Sequence, residues 1–182
     1  MAHYNFRKDL NDGEEGELIV IEQLKKLGGT LLEQNKDNRY DAIIERNSKK
    51  VKYEIKTDVY CNSMKDSGNM FIETECRGKQ SGINVTQADW FVYYYLHLDE
   101  MWYIKVEDLL DLIRENLNTI RFHENGGDIG SRTKGWLINR NKFLEHFIVL
   151  DAKTNKRLIK VKKGENGKVD YDRLMNMLNK ND

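Results

Sequence analysis

Three side chains, Asp41, Glu54 and Lys56, have the types and the spacing to do chemistry together. They lie in Arg39-Tyr40-Asp41-Ala42-Ile43-Ile44 and in Lys52-Tyr53-Glu54-Ile55-Lys56. If Asn47-Ser48 forms a two-residue turn, Arg46 pairs with Lys49, Glu45 with Lys50 and Ile43 with Lys52, and Asp41 comes opposite Glu54. Side chains alternate along a strand, so Asp41, Glu54 and Lys56 share one face. Tyr40, Ala42, Ile44, Val51, Tyr53 and Ile55 then make an apolar second face. Two carboxylates beside an amine offer hard oxygen ligands to a divalent cation, with a positive charge at hand for a phosphate or a water.

An acid on one strand followed by Glu-x-Lys on the next resembles the PD-(D/E)XK nuclease superfamily, and here its resolvase-like and phage-type members. Tyr40 stands where the superfamily's motif has proline. An N-terminal helix carrying a glutamate is a further element of the resemblance, and Asn11-Asp12-Gly13-Glu14-Glu15-Gly16-Glu17-Leu18-Ile19-Val20-Ile21 fits it. Glu17 is the candidate, in line with Ile21, Leu24 and Gly28 at helical spacing. The Ala88-Asp89-Trp90 step before a β-prone run is similar too. The likeness covers about half of the chain, from Glu17 to Tyr95.

The resemblance implies a Mg²⁺ (or Mn²⁺) cofactor and DNA as substrate. Asp41 and Glu54 would be metal ligands, with the backbone carbonyl of Ile55 completing the set. Lys56 would orient or activate the attacking water, and Glu17 would join through a second metal or a water. The ordinary reading of Glu-x-Lys is an exposed strand with a Glu54–Lys52 or Glu54–Lys56 salt contact. The opposing Asp41 and the core-facing Glu17 favour the nuclease.

The elements that must position these groups follow from periodicity. A helix is expected near 12–27, then strands near 30–33, 39–46, 50–57, 70–76, 90–96 and 101–105, and a helix near 106–117. Beyond these, a strand is expected at 118–122, a loop at 125–131, a short helix from about 141, and strands at 147–150 and 157–162. A helix at 170–179 closes the chain. Mixed elements around one central sheet make the class α/β, with a restriction-endonuclease-like core, a central mixed β-sheet flanked by helices, and an α+β C-terminal extension. A single nuclease domain is expected over 1–182, with its core at about 9–97 and an accessory region at about 98–182.

Composition bounds the reading. The 182 residues are 39% hydrophobic and 33% charged, enough for one well-formed core. Thirty basic residues balance thirty acidic ones, so the bias that often marks nucleic-acid binders is missing. Local cations must then supply phosphate contacts. Arg77 and Lys79 after the strand at 70–76, and Lys160 and Lys162 on one face of the C-terminal strand, are the candidates. Arg77 and Lys79 have an equal claim to pairing with Glu73 and Glu75, and the C-terminal lysines to blocking an open sheet edge. Arg132 and Lys134 adjoin the Gly-rich loop.

Cys61 and Cys76 are too few for a disulfide framework and read as reduced structural thiols, and the four histidines show no ligand spacing. With no apolar run of membrane-spanning length and no signal-like N-terminus, a cytoplasmic protein is expected. The function implied is a divalent-metal-dependent deoxyribonuclease of recombination, repair, restriction or phage DNA processing. A catalytically inactive nucleic-acid-binding or structural module on the same fold, and a ribonuclease, stay open. Double-strand cutting needs two sites, which would call for a homodimer.

Overall fold

A computed structural model of the chain describes residues 6–34, 39–126 and 132–158, with side chains described from 13 in the first stretch and up to 124 in the second. Lys160, Lys162, the helix expected at 170–179 and most of the strand expected at 157–162 lie outside the described residues. Arg157 forms one antiparallel bridge to Leu150.

Helix α1 (Phe6–Lys26) precedes strands β1 (Thr30–Gln34), β2 (Ala42–Arg46), β3 (Lys49–Asp58), β4 (Asn69–Cys76), β5 (Lys79–Gln80), β6 (Trp90–Tyr95) and β7 (Glu100–Lys105). Helix α2 (Val106–Glu115) and strands β8 (Arg121–Gly126), β9 (Thr133–Asn139) and β10 (Ile148–Asp151) follow. Helix α1 begins well before the expected residue 12. An interior glycine such as Gly13 costs about 1 kcal/mol, which a helix of 21 residues absorbs. Strand β8 starts later than expected, after a turn at 116–119.

Six strands form a mixed sheet in the order β1-β2-β3-β6-β7-β10. Its pairs are antiparallel except β3 with β6. A parallel pair needs a long crossover, and here the crossover builds β4 and β5. These leave the central sheet and join a second, antiparallel sheet in the order β5-β4-β9-β8. The expected α/β class and central mixed sheet are present, and a second sheet that the sequence did not announce stands beside it. Alternation along β4 was legible, with Met70, Ile72 and Thr74 buried, but alternation does not name a strand's partner.

The central sheet is covered on both faces. On one, Val20, Ile21 and Leu24 of α1 pack with Ala42, Ile44, Ile55, Val92 and Tyr94. On the other, Phe91, Tyr93, Tyr95, Trp102 and Ile104 pack with Met70, Ile72 and Ile138 of the second sheet and Leu109 and Leu112 of α2. The aromatic run of β6 is thus a buried central strand. Its hydroxyls also join the sheets: Tyr93 accepts the Phe71 N–H (3.3 Å) and donates to Asp58 (3.3 Å), and Tyr95 donates to the Asn69 carbonyl (3.2 Å). The β3–β4 connection is pinned by an ion pair between Asp66 and Arg140. The Arg140 guanidinium stacks 4.4 Å from the Tyr95 ring centroid. No helix among the described residues is long and apolar enough to cross a membrane.

Candidate active site

The β2–β3 hairpin has the expected register: Arg46 pairs with Lys49, Glu45 with Lys50 and Ile43 with Lys52. Asn47 (φ 50°) and Ser48 (φ 59°) form its turn, the left-handed pair that a two-residue hairpin requires. The ladder ends one step earlier than expected, at Ala42 and Tyr53. The Asp41 N–H also bonds the Tyr53 carbonyl (2.8 Å), so Asp41 and Ala42 both face Tyr53, the arrangement of a β-bulge. One extra residue reverses the alternation. Tyr40 therefore does not join Ala42 and Ile44 against α1, as expected, but packs in the opposite cluster.

The bulge releases the Asp41 side chain from the ladder. Its Oδ2 accepts the Ile55 N–H at 2.6 Å, doing for Ile55 what a β2 carbonyl would otherwise do. In a strand, a residue's N–H and C=O point to the same side, so the Ile55 carbonyl also looks past the end of β2. Glu54 lies one residue earlier on β3. Its Oε2 is 2.8 Å from the Thr86 hydroxyl, which is also 3.1 Å from the Arg39 carbonyl and accepts the Ala88 N–H (3.2 Å). One hydroxyl proton cannot serve two acceptors. It goes to Glu54 when that group is ionised; when Glu54 is protonated, the acid becomes the donor and Thr86 turns to Arg39.

Both carboxyls are short of neutralising charge. Burial pushes Asp41 up to about 6, opposed by the Ile55 N–H and the Lys56 ammonium. Burial and then the charge of Asp41 push Glu54 up to about 7, opposed by Thr86 and Lys56, with Glu73 adding to the rise. Lys56 is exposed. Among the described residues, Glu54 forms no ion pair with Lys52 or Lys56; the Lys52 ammonium instead lies 5.1 Å from the Tyr40 ring centroid. The salt contact that Glu-x-Lys offers by default is not made.

A cleft of about 190 Å³ opens beside this group, between β3 and β4, and Glu54, Lys56, Phe71, Glu73, Gly82 and Phe91 line it. Gly82 has φ 51°, and a Cβ there would lie 2.4 Å from the Glu73 carbonyl, so the cleft wall can close this tightly only on a glycine. Thr86 is a neighbour that sequence reasoning did not place, and of the two acids Glu73 and Glu75, either of which could lean toward a metal or stay on a solvated face, it is Glu73 that lines this cleft. The alternation of β4 put Glu73 on its outer face without showing what that face meets, and Thr86 stood only as part of a polar turn.

The other expected residues fall elsewhere. Glu17 is half-buried on α1, on the opposite side of the sheet, next to Gly16, which lies against the Thr57 side chain. Lys56 acts on both site carboxyls, and Asp41 and Glu73 act on Glu54. Asp89 accepts the Lys52 N–H (2.8 Å) and anchors the start of β6. Arg77 turns the β4–β5 hairpin and Lys79 is exposed on β5. Glu75 pairs with Lys134 (2.9 Å) and not with Arg77. Neither cysteine is in a disulfide. Burial and the neighbouring Asp66 push the Cys61 thiol up to about 11, far from a nucleophile's range.

Among the described residues, no three or more His, Cys, Asp or Glu side chains form a group that could hold a metal ion. The described residues therefore do not build a closed structural site. Magnesium does not ask for one, because it keeps several waters and binds through one or two carboxylates plus substrate phosphates. Two under-neutralised carboxyls and an outward-looking backbone carbonyl fit that habit.

No protein-family model matches the sequence, and no curated protein matches it. The fold is similar to a solved structure of a bacterial homing endonuclease. That likeness spans 93% of each chain at 15% identity, with a TM-score of 0.45.

Proposed function

We propose that this chain is a divalent-metal-dependent nuclease that hydrolyses DNA phosphodiester bonds, on the plan of the PD-(D/E)XK superfamily. The observation that carries the reading is the Asp41–Glu54 pair, held by the Ile55 amide and the Thr86 hydroxyl and left without a neutralising ion pair beside an open cleft. Asp41, Glu54 and the Ile55 carbonyl would hold Mg²⁺ or Mn²⁺. Such an ion supplies a nucleophilic water at neutral pH and neutralises the charge that develops on the phosphate.

The chain's own groups account for the rest. The Ile55 N–H fixes the rotamer of Asp41, so one carboxylate oxygen stays committed to the backbone and the other stays available. Thr86 fixes Glu54 in the same way. Lys56 projects from the Glu54 face one step further along β3. From there its ammonium lowers the repulsion between the carboxylates and can orient a water or meet a phosphate oxygen. Phe71 and Phe91 wall the cleft with apolar surface, which strengthens each of these interactions. A place in recombination, repair, restriction or phage DNA processing, a dimer that cuts both strands, and a cytoplasmic setting belong to the same proposal.

The test is incubation of the protein with supercoiled, linear, single-stranded and branched DNA, with RNA in parallel, in Mg²⁺, Mn²⁺ or Ca²⁺. Cleavage is expected with Mg²⁺ and Mn²⁺, and binding without cleavage with Ca²⁺. Asp41→Asn and Glu54→Gln should abolish cleavage, and Lys56→Ala should slow it by about 10²–10⁴-fold. Binding without turnover in every metal would mean a nucleic-acid-binding module. Wild-type activity in all three variants would remove these residues from the site.

A further inference from the structure

A second cleft, of about 440 Å³, lies at the C-terminal end of β4 and is lined by Glu75, Arg77, Gly78, Arg132 and Lys134. Three cations and one carboxylate line it, and Glu124 of β8 acts on Lys134 from beside it. Glu75 is taken by Lys134 at 2.9 Å, so two guanidinium groups are left, neither with an ion pair among the described residues. A planar guanidinium offers two parallel donors to a phosphate, a match that a lysine lacks.

The backbone under both arginines is unusual. Arg77 has φ 52° and Arg132 has φ 48°, the left-handed region that non-glycine residues enter at a cost. The β2–β3 turn of the same chain puts asparagine at the first such position, as this turn type prefers. The β4–β5 turn puts arginine there, at the lip of the cleft. Each arginine thus stands where a smaller residue would suit the backbone better.

The two clefts are neighbours along β4. Glu73 lines the first and Glu75 the second. The register of β4 on β9 shifts between these two residues, and two residues of strand span at most about 7 Å, a distance that roughly two nucleotides of rise would cover. We propose that Arg77 and Arg132 form a second phosphate seat. It holds the backbone of the polynucleotide whose scissile bond lies over Asp41 and Glu54, a statement that rests on the nuclease reading above. The seat places the strand and reads no base, which suits a chain of zero net charge whose phosphate contacts must be local.

The experiment measures binding of a fluorescent DNA duplex by anisotropy in Ca²⁺ over a range of salt, and cleavage in Mg²⁺. It compares the wild type with Arg77→Asn, Arg132→Asn and the double variant, asparagine being chosen because it tolerates the left-handed backbone. Each single change should weaken binding by about tenfold and lower the salt slope by about one, uniformly across sequences. KM should rise with kcat nearly unchanged at saturation, the mark of lost ground-state binding. Arg77→Lys and Arg132→Lys should keep the salt slope while losing part of the affinity, and equal melting temperatures separate these effects from misfolding. A double variant with wild-type affinity and slope, while Asp41→Asn still abolishes cleavage, would overturn the seat and leave the nuclease standing. A wild type that neither binds nor cuts DNA would overturn both.

Discussion

Asp41 and Glu54 bind their protons more tightly in the folded chain than in the unfolded one, because burial disfavours their charge: Asp41 rises to about 6 and Glu54 to about 7. Between the unfolded values near 4 and these folded ones, the native state holds more protons. Stability then falls as pH rises. The metal-free protein should be at its best below about pH 4 as far as these two groups decide it, and should lose on the order of a few kcal/mol by neutral pH. Asp41→Asn removes the desolvated charge and keeps an oxygen for the Ile55 N–H. It should therefore raise the melting temperature at pH 8, by about 2–4 °C for each kcal/mol recovered, flatten the pH dependence, and end cleavage. A carboxylate kept for structure would behave in the opposite way. A lower melting temperature in Asp41→Asn at pH 8 would count against a functional pair.

At the scale of elements, the site depends on how α1 and the β2–β3 hairpin meet. Gly16 of α1 lies against Thr57 of β3 so closely that a Cβ would come within 2.1 Å of its hydroxyl oxygen, whereas nothing lies within 4 Å of a Cβ on Gly13. Gly16→Ala should destabilise by about 1–3 kcal/mol through overpacking, and Gly13→Ala should stabilise by up to about 1 kcal/mol through helix propensity. Urea unfolding of the two variants checks both signs, and equal effects would mean that α1 does not seat on β3 through Gly16. The hairpin was legible in the residues because two local signals agree there: Asn47-Ser48 suits the turn, and alternation fixes the faces. The bulge at Asp41 was not legible, since it depends on which carbonyl the Asp41 amide finds, and Tyr40 was misplaced for that reason alone. The second sheet was hidden for a related cause. Strand β4 reads the same whether its neighbour is β3 or β9, and only packing across the Tyr93 and Tyr95 hydroxyls decides. Thr86 bonds Glu54, and Glu73 shares its cleft, over long sequence separations that no local pattern encodes.

For the whole molecule, the proposed ion and the proton compete for the same two carboxyls, so occupancy, pH and stability are linked. The wild type at pH 8 with Mg²⁺ at about 100 times its dissociation constant should gain about 2.7 kcal/mol, a rise of roughly 5–10 °C in melting temperature for a chain of this length. At pH 5 Glu54, and Asp41 in large part, hold their protons, and the same Mg²⁺ should shift the melt far less. Because Asp41→Asn lacks half of the donor pair, its shift should be small at both pH values. Manganese and calcium should repeat the pH dependence, since both need the ionised carboxylates, although only manganese should support cleavage. The comparison separates a site from general ion effects: screening of surface charges would stabilise wild type and variant alike and would show no rise between pH 5 and pH 8. Equal shifts in the two proteins would place the ion away from Asp41, and the carboxyl pair would then be no more than a costly feature of the hairpin.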